Sequence, residues 1–287
     1  MNILEIRNTL RDKYVANDFV TDKTGEKTIE ILGASFLADE EAIFGEINKE
    51  YIKEELEWYH SLSTNINDIR AGEPPAAWKY AADKYGNINS NYGKLIFTPI
   101  YFDQYANAMY ELQINPNSRR AIMIYNRPSM WEEYKENGKS DFICTNAVSF
   151  YIRDNKVHCV VQMRSNDVYL GYRNDRAWHL HILKMMANDL NLEVGDIYWQ
   201  VQNLHIYEKH FKFIKPHTEY DAKLENWVLV ETPNDSYLLG NVFDDKKNRF
   251  PNGYCVRTTD VASTDPIAKG TIVRTKNSSY LLGNEAK

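Results

Sequence analysis

Residues 145–207 constrain the fold more than any other stretch of the chain. AVSFYIR and KVHCVVQMR have the β-branched and aromatic content of strands, and the Asp154-Asn155 pair between them is the turn chemistry that joins antiparallel neighbours. A long amphipathic helix is then predicted from near Asp175 through WHLHILKMMANDL, followed by another strand, DIYWQVQNLHIY. This order points to an α+β domain. Upstream, helical spacing predicts helices over 3–12 and 40–62, the second with an apolar face at Ile43, Phe44, Ile47, Tyr51, Leu56 and Tyr59. The loop VTDKTGEKT leads into the strand TIEILGASF, GEPPAA interrupts the pattern before a short helix around 78–85, and IYFDQYANAMYELQI is helical again. NPNS is then a turn before the strand RRAIMIYN.

Near residue 224 the helical spacing ends and short β-rich segments with Asn, Gly, Pro and Ser turns take over, so a boundary is expected between residues 1–223 and a small β domain, 224–287. The tail repeats itself: VLVETPNDSYLLGN (228–241) and TIVRTKNSSYLLGN (271–284) share nine of fourteen positions. Two strand-turn-strand units that bury each other's apolar faces are the simplest physical account.

The net charge of −6 argues against a surface built to neutralise a polynucleotide, although a few arginines could still hold one phosphate. Cys144, Cys159 and Cys255 are an odd number with no zinc spacing, so neither a disulfide framework nor a metal is expected and a reducing cytoplasm fits. The first residues show no secretory pattern, and no apolar run approaches membrane-spanning length.

Residue by residue, the polar motifs are ambiguous. A cysteine like Cys144 is more often a buried structural thiol than a nucleophile, paired arginines such as Arg119 and Arg120 are usually solvated, His205 could be a hydrogen-bonded core histidine, and Asp175 could cap its helix. Their order along the chain is more informative. DKTGEKTIEILGASF, EELEW, Trp78, SNYG, NPNSRR, the Cys144 segment FICTN, MRSNDVYLG and NLHIYEKH follow one another as in the thymidylate synthase superfamily, and the chain resembles within it the phage-type deoxycytidylate hydroxymethylases. The resemblance covers about residues 15–215.

That resemblance implies a three-layer α+β catalytic domain on a large mixed sheet, a homodimer, and one-carbon transfer from 5,10-methylenetetrahydrofolate to carbon 5 of dCMP without a metal, for modified DNA. Cys144 would be the nucleophile, its thiol lowered by nearby arginines, and Glu55 would organise water and move protons. Arg164, Ser165 and Asn166 fall in the nucleotide-binding motif, with Arg119 and Arg120 supplied by the other subunit. His205 and Tyr207 would hold the sugar hydroxyl, and Trp78 and Asp167 the folate. Lys23 stands where the family commonly has arginine, and Ser149 where relatives often have glutamine. Asp175 replaces the asparagine of thymidylate synthases, and a carboxyl that shares a proton with the ring nitrogen while accepting from the exocyclic amine suits cytosine. Alternatives of the same class are CMP or dUMP hydroxymethylation, or methylation. An alternative of a different class is an assembly component that docks a nucleotide-synthesis complex through the tail.

Overall fold

The computed structural model describes every residue except 23, 216–219, 233–234, 263–266 and 287. The chain forms two compact units, Met1–Ile214 and Lys215–Lys287. In the first, the strands β1 (Val20–Thr21), β2 (Lys27–Leu37), β3 (Ile122–Ile124), β4 (Thr145–Arg153), β5 (Lys156–Asp167) and β6 (Glu193–Tyr207) form one sheet in the order β1-β2-β6-β5-β4-β3. The sheet is mixed, because β5 and β6 run parallel while the other pairs are antiparallel. Asp154 and Asn155 both have positive φ, as a two-residue hairpin turn between β4 and β5 requires.

Among the described residues, the α-helices of this unit are α1 (Ile3–Val15), α2 (Lys49–Ser61), α3 (Ala76–Ala81), α4 (Tyr92–Phe97), α5 (Gln104–Ile114), α6 (Met130–Glu133) and α7 (Gly171–Asp189). Side chains alternate across the sheet. The row Phe36, Trp199, Val161, Val148 and Met123 is buried in the core. The neighbouring row, Tyr198, Val160, Ser149 and Ile122, points the other way, and Tyr198, Ile122 and Ile124 are exposed. One sheet face is therefore covered and the other left open.

The helix expected over 40–62 is shorter than its periodicity suggested, because tertiary contacts claim its first part. Arg7 donates to the carbonyls of Ala42 and Ile43 at 2.9 and 2.5 Å and to both carboxylate oxygens of Glu40. Gly45 has φ +72° with the Tyr169 ring against it, and α2 begins only where Asn48 accepts from the Tyr51 amide. Ile43 and Phe44 are nonetheless buried, so the apolar pattern located the core correctly but not the helix. The helix predicted around 78–85 ends at Ala81, and the first helix runs past residue 12 to Val15.

In the second unit, β7 (Ala222–Glu231) pairs with β8 (Ser236–Phe243), and β10 (Ile272–Arg274) pairs with β11 (Ser279–Leu282), both antiparallel. These hairpins contain the two repeats. They lie side by side through the parallel β11–β7 pair, with β9 (Tyr254–Arg257) on β8, rather than stacking face to face. Leu224, Leu238, Val273, Tyr280 and Leu282 form their shared core. Among the described residues, no helix is long and apolar enough to cross a membrane and no cluster of three or more His, Cys, Asp or Glu could hold a metal.

Candidate active site

A cleft of about 1030 Å³ is lined by the 140–146 segment, the ends of β5 and β6 and the first turns of α7. It brings together Cys144, Arg164, Ser165, Asn166, Asp167, Asp175, His205 and Tyr207. The parallel β5–β6 ladder does much of this, setting Ser165 beside Asn203 and Asp167 beside His205. Asp141 ties the SNYG segment to the cysteine segment by accepting from the Asn89 and Ser90 amides at 2.5 and 2.8 Å and from Ser90 Oγ at 2.6 Å. Gly93 completes that joint: a Cβ there would lie 2.0 Å from the Tyr59 carbonyl oxygen, so only glycine lets α4 pack this closely on α2.

Cys144 is partly open to the cleft. Arg164 donates from Nε to the Ile143 carbonyl at 3.0 Å and from Nη2 to the Phe142 carbonyl at 2.5 Å, and the same Nη2 is 3.5 Å from the sulfur. One guanidinium thus shapes the segment and faces the thiol. The expected lowering of the thiol pKa is not what one chain produces. Burial pushes Cys144 up to about 11, Arg164 offsets only part of this, and the charges of Asp175 and Asp141 add to the rise. Arg119 and Arg120 are exposed away from the cleft, with Arg120 paired to Glu111, so within one chain they do nothing for the sulfur.

Asp175 lies in the second turn of α7 and is not its cap. The capping work falls to Asp167, whose carboxylate accepts from the amides of Tyr169, Leu170 and Gly171. This frees the Asp175 carboxyl for the cleft, where Oδ2 accepts from Asn166 Nδ2 at 2.8 Å and Oδ1 is 3.5 Å from the Tyr92 hydroxyl. Asn166 is fixed in turn by Trp199 Nε1 at 3.3 Å, and Tyr92 by Thr145 Oγ1 at 3.1 Å. Burial, then the charge of Glu55, pushes Asp175 up to about 8 despite the Asn166 hydrogen bond. At neutral pH this carboxyl is largely protonated and can donate as well as accept.

Glu55 is only 6 % exposed and is not on the cleft wall itself. Burial raises it to about 7, against hydrogen bonds from Tyr51 and Trp78 that lower it. Trp78 is half-buried against Trp58, with its indole N–H on the Tyr51 hydroxyl, and the wall on that side is formed by Ala77 and Tyr80. His205 is buried, with Nδ1 3.2 Å from Asn203 Oδ1 and its ring edge-on to Tyr207. Lys23 lies outside the described residues. Ser149 sits on the open sheet face between Ile122 and Val160, and nothing in the structure explains its presence there.

Sequence reasoning missed Tyr80 and Trp131, cleft residues 69 % and 68 % exposed, together with Tyr134 and Asp141. The signal available was the aromatic-rich MWEEY run, which periodicity alone cannot tell from a surface helix.

The two raised carboxyls make stability depend on pH in a definite direction. Each binds its proton more tightly in the folded than in the unfolded chain, so its contribution is complete below the ordinary carboxyl range and is lost as pH rises through about 7 and about 8. The melting temperature is therefore expected to fall from the ordinary carboxyl range up to about pH 8, and Asp175→Asn to flatten that slope. Scanning calorimetry across this range checks it, and an identical slope in the variant would contradict the protonated Asp175.

The sequence pattern described as thymidylate synthase matches residues 9–232. The deoxycytidylate 5-hydroxymethyltransferase of Enterobacteria phage T4 is 50 % identical over 221 residues, covering 75 % of this chain and 89 % of that enzyme, and the phage T2 enzyme matches equally. A thymidylate synthase of Francisella tularensis subsp. holarctica is 29 % identical over 222 residues, covering 70 % of this chain and 79 % of that one. Among solved structures, thymidylate synthase from T4 phage superposes with a TM-score of 0.61 at 21 % identity, over 80 % of this chain and 85 % of that one, which shows a common fold.

Proposed function

The chain belongs to the thymidylate synthase family, and on that premise we propose that it is a deoxycytidylate 5-hydroxymethylase acting on dCMP with a reduced folate. What supports this reading is that the Asp175 carboxyl, raised by burial, shares one cleft with Cys144 and stands at the position to which the resemblance assigns reading of the base. Neutral Asp175 donates to the ring nitrogen of cytosine and accepts from its exocyclic amine, a pair that uracil does not offer. The half-identical phage enzymes, named for deoxycytidylate, agree with this choice.

In this proposal Cys144 adds through sulfur to carbon 6 of the base, which makes carbon 5 nucleophilic. Arg164 and Ser165 hold the phosphate, Arg164 by the donors that its bonds to the Ile143 and Phe142 carbonyls leave over. His205 and Tyr207 meet the sugar. The family's co-substrate, methylenetetrahydrofolate, supplies one carbon at the oxidation level of formaldehyde. The exposed rings of Tyr80 and Trp131 fit a flat heterocycle in a cleft larger than a nucleotide needs, with Asp167 at the same wall. Glu55 takes the proton released from carbon 5, passes it to the departing folate nitrogen, and, ionised again, takes the proton of the water that adds to the exocyclic carbon. Running the reaction in ¹⁸O-water tests the outcome: the product hydroxymethyl group should contain the label, and a methylated product would show hydride transfer instead.

The open sheet face, with exposed Ile122, Ile124 and Tyr198, is suited to a second copy of the chain. Arg119 and Arg120 immediately precede β3 at its edge, which supports their delivery to the phosphate of the neighbouring site. Mixed Cys144→Ala and Arg120→Ala proteins should then recover up to about a quarter of wild-type activity through heterodimers with one intact centre. No recovery would count against the shared site.

A further inference from the structure

Tyr51 and Glu55 are one helical turn apart on α2 and face the same way. The Tyr51 hydroxyl donates to Glu55 Oε1 at 2.6 Å and accepts from Trp78 Nε1 at 3.1 Å. Trp78 is itself braced edge-on against Trp58, whose Nε1 is anchored on the Asn65 carbonyl at 3.2 Å. An indole can only donate, so the phenol that accepts from it has its own proton directed at the carboxyl. The line Trp78–Tyr51–Glu55 therefore has one polarity, and it ends on a carboxyl buried where ionisation is costly.

We propose that Tyr51 is a positioning residue that clamps Oε1 of Glu55 and keeps the carboxyl ionised, reserving the other oxygen as base toward the water that completes hydroxymethylation. The inference rests on the function proposed above. In the step concerned, the water oxygen bonds to the exocyclic methylene carbon and its proton passes to Glu55. The electron pair of the exocyclic double bond moves into the ring and ends as the carbon 5–carbon 6 double bond. The carbon 6–sulfur bond breaks with its pair returning to Cys144. No other reactant is required. A phenol hydrogen bond that stabilises the anion lowers the pH at which Glu55 becomes a base, in line with the direction of its effect on that carboxyl.

Tyr51→Phe removes the hydroxyl and leaves the ring. The expected result is a fall of about tenfold in kcat for dCMP at pH 7, a KM for dCMP within about twofold, and an acid limb of the kcat profile moved about one unit upward. Trp78→Phe should move the limb in the same direction by less. In protein with ¹³C-labelled glutamate side chains, the Glu55 signal, assigned by its loss in Glu55→Gln, should titrate higher in Tyr51→Phe. An unmoved acid limb and an unchanged Glu55 titration, whatever the loss of rate or melting temperature, would reduce Tyr51 to a brace and overturn the proposal. Two controls separate the levels: failure of the wild-type protein to hydroxymethylate dCMP would sink the proposed function itself, and full turnover by Glu55→Gln would sink Glu55 as the base, whereas an inactive Glu55→Gln beside an unaltered Tyr51→Phe profile would sink only the role of Tyr51.

Discussion

Replacing Cys144 with serine is expected to lower kcat for dCMP by at least about 10⁴-fold while dCMP binding changes only a few-fold. An alcohol ionises far less readily than a thiol and adds poorly to carbon 6, so the ring is never activated. The groups proposed to bind dCMP are untouched, because Arg164 on β5 is anchored on the Ile143 and Phe142 carbonyls. The cost therefore appears in the chemical step, read by single-turnover kinetics beside a dCMP titration. Cys159 cannot substitute, because it is fully buried in the core. In the free chain the thiol at about 11 is mostly protonated at neutral pH, so alkylation of Cys144 should be slow without nucleotide.

Asp175→Asn is expected to reverse the choice of base. An amide can hydrogen-bond the cytosine edge but cannot pass a proton to the ring nitrogen as a carboxylic acid can, whereas it accepts from the uracil ring N–H and donates to the carbonyl at carbon 4 with no proton transfer needed. We expect kcat/KM for dCMP to fall about 10²–10³-fold and that for dUMP to rise, because no acid remains to share a proton with the cytosine ring nitrogen as sulfur adds to carbon 6, while the uracil edge is matched. The pH dependence should change with it. Wild-type kcat/KM for dCMP needs Asp175 neutral, so it should decline above about pH 8, and the variant should lack that limb. Asn166 can serve either residue, since its Nδ2 donates to a carboxyl or to an amide oxygen alike.

Much of this was legible in the sequence where local chemistry decides it. The Asp154-Asn155 turn, the strands on either side and the paired hairpins of the tail follow from residue type and spacing. The order of motifs also announced the cleft that gathers Cys144, Arg164, Asn166, Asp175, His205 and Tyr207. What was not legible depends on contacts distant in sequence. Arg7 holds residues 40–43 out of helix from more than thirty positions away, and Asp167 rather than Asp175 caps α7 because the end of β5 delivers it there. In one chain the Cys144 thiol is raised rather than lowered, since nearby charge is visible in a motif and burial is not. The bond from the Trp78 indole N–H to Tyr51 joins residues far apart in sequence and was likewise invisible there.

The central claim is that one neutral carboxyl makes this cleft select cytosine for hydroxymethylation. The most direct test offers wild-type protein equal dCMP and dUMP with methylenetetrahydrofolate and weighs the products by mass spectrometry. The account predicts that dCMP is consumed first and gains the mass of one formaldehyde unit while dUMP persists. Prior consumption of dUMP, or a dCMP product carrying a methyl group instead, would contradict it.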